Sequence, residues 1–232
     1  MFKLFRKTTD PHSVLRYAAD FVLVVLGVFL GLQAQSWATD RADRARAQQY
    51  IERIESDFAA ILAELETCKR ISAASVDSIE YVRSSIQARA NARDESPPEQ
   101  FAASLIVMTG GVMPPGRSAA YVEMISSGEL RLLKNEELRA ALIGYDQAAE
   151  TNRDTWLLLR EMLNPMMVVL YRHVALRKET YAQAEIGDYD IDGLASDPEI
   201  ITALSAFMGA ATNAYQLCES QETFAQTVAA KF

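Results

Sequence analysis

Apolar and polar positions follow two different patterns along this chain. From Phe21 to Leu32 every position is apolar or glycine, and Tyr17 and Trp37 bracket the run. At a helical rise of about 1.5 Å per residue, Tyr17 to Trp37 covers roughly 30 Å, the hydrocarbon thickness of a bilayer. The pattern predicts a transmembrane helix over 17–37, preceded by a short arm (1–16). No later stretch is long and apolar enough to span, so 38–232 reads as one water-exposed helical domain.

Beyond the span the period changes. Ile54, Phe58, Ile61, Leu65, Cys68, Ser72, Ser75, Ile79, Val82 and Ile86 recur in steps of four and three, a heptad stripe of coiled-coil type. No Gly or Pro interrupts 36–96, so the anchor helix is expected to continue as the first bundle helix until Pro97-Pro98. A helix from Glu99 to Gly110 and a short one from Ser118 to Ser127 follow, with Gly128 in the left-handed position that ends the latter. Asn135 caps a long helix whose seam reads Leu138, Leu142, Tyr145, Ala149, Asn152, Trp156, Leu159, Leu163, Met166 and Leu170, with a kink expected at Pro165. A Gly- and Asp-rich loop over 187–197 leads to Pro198, the first residue of a last helix with seam positions Ile201, Leu204, Met208, Ala211, Tyr215, Cys218 and Ala225. No segment alternates convincingly as a strand. The fold class is therefore all-α: one N-terminal transmembrane helix continuing into an antiparallel bundle of about four main helices.

Charge refines this reading. The chain carries a formal net charge of -8. Lys3, Arg6, Lys7 and Arg16 against Asp10 and Asp20 give the segment before Ala38 a balance of +2, so the remainder carries -10. An acidic body repels nucleic acid and anionic lipid, which excludes both as partners of its surface. The basic N-terminal arm outweighs Arg41, Arg44 and Arg46 beyond the span, which predicts a cytoplasmic N-terminus and a periplasmic bundle in a bacterial inner membrane. The basic start, apolar centre and Ser36-Trp37-Ala38 also fit a cleaved signal peptide, but the helical pattern that follows favours a retained signal anchor.

Two blocks carry a family resemblance. Arg16-Tyr-Ala-Ala-Asp20, Leu23-Val-Val-Leu-Gly-Val28 and Leu32 to Trp37 form the first. Ser118-Ala-Ala-Tyr121, Ser126-Ser-Gly128, Leu130, Leu132, Asn135, Leu138, Arg139, Leu142 and Tyr145 form the second. Together they cover about a quarter of the chain and resemble the bacterial membrane-protein family catalogued as domain of unknown function 6090. Asp20 departs from the family's usual Glu, and fewer charges follow Trp37. The resemblance implies a membrane-anchored helical protein and supplies no activity.

Candidate site residues are few. Asp20 within the apolar span lies one helical turn from Arg16, which predicts an ion pair at the membrane interface. Gly27 and Gly31 have the Gly-x-x-x-Gly spacing that lets two spanning helices approach closely, a candidate dimer face. Cys68 and Cys218, the only cysteines, fall on buried seams. They are either two core thiols or a disulfide joining the first and last bundle helices, and sequence leaves both readings open. Tyr121, Arg139 and Tyr145 are candidates for a ligand or partner surface, against the simpler reading that they pack. Met162, Met166, Met167 and Trp156 read as bundle core. His12 and His173 fall on opposite sides of the membrane under this topology, and no metal-ligand spacing, nucleophile motif or phosphate loop is present in the sequence. No catalytic residue, metal or cofactor is expected. The pattern predicts a non-enzymatic protein that binds or scaffolds another protein or pairs with itself. The alternative is a periplasmic sensory bundle for a small ligand, disfavoured because so short an arm offers no cytoplasmic output.

Overall fold

The structure, a computed structural model, describes residues 11–91, 100–178 and 185–232, and of 11–20, 176–178 and 185 it describes the backbone alone. Contacts divide the chain into two units, Met1–Gln49 and Tyr50–Phe232. The fold is all-α but for one small hairpin. Helix α1 (Pro11–Ala90) supplies every described residue of the first unit and opens the second.

In the first unit the apolar run is exposed throughout, from Phe21 to Leu32. This is the one helix among the described residues that is long and apolar enough to cross a membrane, and none of its apolar window is buried. Arg41 lies over the Trp37 ring, 5.7 Å from its centroid.

The second unit is an antiparallel bundle. All ten seam positions of α1, Ile54 to Ile86, are buried. Helix α2 (Gln100–Thr109), an irregular segment and helix α3 (Ala119–Ser126) together return along α1. Ser75 Oγ donates to the Val107 carbonyl at 3.1 Å, Ser118 Oγ donates to Asp57 at 2.8 Å, and Arg53 pairs with Glu123 at 2.5 Å, so rising numbers on one element meet falling numbers on the other. The second bundle member is thus one helix broken in its middle by Gly110-Gly-Val-Met-Pro-Pro-Gly116. Helix α4 (Glu136–Tyr171) runs with α1, and Phe58 meets Tyr145 edge to face at 4.8 Å. Helix α6 (Pro198–Ala229) runs against both: Lys231 reaches Glu137 at 2.7 Å and Arg172 reaches Glu199 at 2.5 Å.

Local chemistry sets the helix ends. Asn135 Oδ1 accepts from the Glu137 and Leu138 amides, both at 3.1 Å, with Glu136 and Glu137 in the first turn where the helix dipole favours carboxylates. Gly128 has φ 72°, the left-handed conformation that costs a side-chain-bearing residue most. Asp197 caps α6 by accepting from the Glu199 amide at 2.9 Å, with Pro198 in the first turn.

Helix α4 runs on past Pro165, as its seam implied; Pro165 lies on the exposed side, where the Glu161 carbonyl it leaves without a donor can turn to water. Two expectations are corrected. The segment after α4 forms an antiparallel hairpin, β1 (Val174–Lys178) with β2 (Glu185–Tyr189), followed by α5 (Ile191–Ser196), in place of a loop. Val174 pairs with Tyr189, which packs on Phe101 with ring centroids 5.1 Å apart, so the hairpin closes one end of the bundle. In α6 the first seam residues are Ile200, Ala203, Leu204 and Phe207, and Ile201 is exposed. Leu204, Cys218 and Ala225 are buried as expected, while Ile200 and Phe207 are buried in place of the next residues because the core cluster they join, built by Ile79, Val82, Ile86 and Leu170, sits on that side.

Candidate functional site

The broken segment between α2 and α3 creates the most distinctive chemistry of the bundle. Outside a helix its carbonyls have no partner four residues ahead, and burial makes each unpaired one costly. Buried side chains supply the donors. Gln221 Nε2 donates to the Pro115 carbonyl at 2.6 Å and to Tyr145 Oη at 3.0 Å. Tyr145 Oη donates to the Gly116 carbonyl at 2.9 Å. Asn152 Nδ2 donates to Gln221 Oε1 at 3.2 Å and to the Leu217 carbonyl at 3.0 Å. Every hydrogen of both amides and of the phenol is used, which fixes the orientation of each group.

Each donor comes from a seam position. Tyr145 and Asn152 lie on the buried face of α4; Gln221 follows Cys218 by three residues and precedes Ala225 by four on α6, and is fully buried. Burial pushes the Tyr145 phenol up to about 12, with the Gln221 hydrogen bond acting the other way. The network is neutral at physiological pH and offers neither a general base nor a nucleophile. Its chemistry is recognition of backbone.

Beside it, Cys68 and Cys218 are joined in a disulfide, Cα atoms 6.2 Å apart, linking α1 to α6. The Cys68 sulfur lies 3.7 Å from the Val112 carbonyl, and as a disulfide sulfur it has no proton to donate there. One residue on, Lys69 bridges Glu222 at 2.7 Å and Glu66 at 2.8 Å, and those two carboxylates hold its ammonium above the usual lysine range.

Tyr145 is spent on the network. Tyr121 is buried, and burial raises its phenol. Arg139 stays half-exposed, 3.6 Å from Glu136 one turn earlier. A side chain at Gly27 or at Gly31 would meet nothing within 4 Å. The side chains of Arg16, Asp20 and His12 lie outside the described residues. Trp156 is buried, while Met162 is exposed and Met166 and Met167 are half-buried, so the methionine stretch is only partly core.

His173 sits at the neck of the hairpin. Its Nε2 is 3.0 Å from Asp197 Oδ2, and its backbone carbonyl accepts from the Asp190 amide at 2.8 Å. His173 first, and the Glu199 amide second, hold the Asp197 carboxyl below its usual range. Gly193 packs against this cluster: a Cβ there would stand 2.5 Å from both His173 Nδ1 and Asp190 Oδ2. Among the described residues no group of three or more His, Cys, Asp or Glu is arranged to hold a metal ion. A cleft of about 40 Å³ lined by Leu105, Thr109, Leu170, Tyr171, Val174 and Ile186 has room for a few waters.

Sequence reasoning missed Gln221. A glutamine on an apolar seam, together with Asn152 on the facing seam and a Pro-Pro-Gly break, is the signal that points to it. No protein-family model, curated protein or solved structure matches this chain.

Proposed function

We propose that this chain is a single-pass membrane protein whose helical bundle binds or scaffolds another protein without catalysing a reaction, with the N-terminus cytoplasmic and the bundle in the periplasm of a bacterial inner membrane. The observation that carries the reading is the exposed apolar stretch of α1 from Phe21 to Leu32, in the same helix that opens a bundle built around a neutral polar network. Leaving ten large apolar side chains in water is untenable; a bilayer is the solvent that suits them. The Cys68–Cys218 bond supports the topology, because such bonds persist in oxidising compartments. The resemblance of the two sequence blocks to a membrane-protein family points the same way. Gly27 and Gly31 leave open space for a second spanning helix, which supports pairing of two copies through the anchor.

The test is photo-crosslinking of the full chain in native membranes, with the crosslinker placed at several exposed bundle positions and, separately, beside Gly31. Adducts to another protein, or a doubled mass abolished by Gly27→Ile with Gly31→Ile, are expected. Recovery of the uncrosslinked monomer from every position refutes the scaffold. Thiol labelling in intact cells tests the side: free Cys68 and Cys218 reachable only from the cytoplasm would overturn the orientation.

A further inference from the structure

Helix α4 buries one face against the core through Tyr145, Ala149, Asn152, Trp156 and Leu170. At 100° per residue the opposite face between residues 157 and 168 consists of Leu157, Leu158, Glu161, Met162, Pro165 and Val168. A helix face opposite a core is ordinarily polar. Here Leu157, Leu158, Met162 and Val168 are 45%, 59%, 64% and 61% exposed. They form an apolar strip roughly 17 Å long, the reach of three helical turns. Along the same face run three carboxylates, Glu150, Asp154 and Glu161, spaced by four and by seven residues; Glu150 shares the field of Arg117, while Asp154 and Glu161 form no ion pair among the described residues. Of the neighbouring arginines, Arg160 lies over Trp156 at 5.3 Å, Arg172 pairs with Glu199, Arg117 pairs with Asp146, and Arg153 is exposed beside Asp154.

This combination specifies its complement. The apolar strip calls for apolar anchors at three- and four-residue spacing, and the acidic row calls for basic residues one and two turns apart on the same partner face. A second copy of this chain lacks that complement, because its own α4 face brings the same carboxylates to the contact whichever way the two helices run. We infer that the outer face of α4 between Glu150 and Val168 docks a cationic amphipathic helix of a partner protein. The inference rests on the scaffold reading and gives it a surface and a partner chemistry.

The experiment uses the full chain in nanodiscs of phosphatidylcholine, a zwitterionic lipid that does not itself attract cations. The probe is a fluorescent peptide of about 18 residues with leucine and lysine at helical spacing, compared with a same-composition scramble and with a version carrying glutamate for lysine. Anisotropy is expected to show saturable binding of the first probe alone. Leu158→Ser and Glu161→Lys should each weaken it about tenfold, whereas Glu55→Lys, a charge reversal at another exposed position, on α1, should leave it unchanged. Equal binding of the scramble, or insensitivity to both α4 variants, overturns the inference. So does a particle mass that falls from two copies to one with Leu158→Ser, which would make a second copy the occupant. In native membranes, a crosslinker at Leu158 that stays silent while other bundle positions form protein adducts overturns this surface and spares the scaffold. Silence at every position overturns both.

Discussion

Replacing Cys68 and Cys218 with serine removes the one covalent link between α1 and α6, and the size of the effect follows from the chain length it closes. The two residues are separated by 150 positions, so the bond ties down most of the bundle's denatured chain. The chain-entropy relation gives about 5 kcal/mol for a loop of this size, an upper figure because real denatured chains keep some compactness. Serine adds little further cost at position 68, where the Val112 carbonyl, 3.7 Å from the sulfur, can move in to accept a hydroxyl proton. A loss of about 3–5 kcal/mol is expected, which for a chain of this size lowers the melting temperature by roughly 6–20 °C. The assay is urea unfolding of the full-length protein in detergent, followed by circular dichroism, for oxidised protein, protein reduced under native conditions and the double serine variant. Reduction should lower the midpoint and steepen the dependence on urea, since an unlinked chain exposes more surface. Should the variant fail to fold, the reduced native sequence still reports the effect. Two free thiols in the unreduced, denatured protein would refute the bond, and an unchanged midpoint after verified reduction would refute the entropic argument.

Other predictions concern the network and the hairpin neck. Gln221→Leu leaves the Pro115 carbonyl and one Asn152 N–H without partners in the core, and should cost about 2–4 kcal/mol in urea unfolding; a loss under about 1 kcal/mol would mean that water or a rearrangement replaces the amide. Tyr145 is neutral when protonated and its folded value lies above its unfolded value of 10.0, so its contribution is fully present below pH 10 and is lost as pH rises toward 12. Thermal melts across that range should therefore fall more steeply for the native chain than for Tyr145→Phe, and parallel curves would contradict the assignment. Gly193→Ala drives a methyl into the His173–Asp190 contact and should destabilise by about 1–3 kcal/mol, read as a lower melting temperature; an unchanged one would show that the cluster yields freely.

By itself, the sequence determined the elements whose signals are local. A four-three stripe in α1 is legible because 3.6 residues per turn put those positions on one face whatever they meet, and all ten proved buried. Asn135, Gly128 and Pro198 are legible because capping and left-handed turns involve only the next few residues. The apolar run of α1 is marked as a candidate span by its own length and composition, without reference to any neighbour.

Tertiary structure decided what depends on distant neighbours. The hairpin after α4 has short strands without a strong turn signal, and it forms where Val174 and Tyr189 cover the bundle end beside Phe101. The α6 seam took its phase from the cluster it joins, which is why Ile200 is inside and Ile201 outside. Whether Cys68 and Cys218 are thiols or a bridge turned on a Cα distance of 6.2 Å that no spacing in the sequence encodes. Gln221 acquired its role only when the chain brought the Pro115 carbonyl, more than a hundred residues away, against a face of α6 that would otherwise be apolar. Periodicity is a property of one helix, whereas a hydrogen bond between two helices exists only once both are packed.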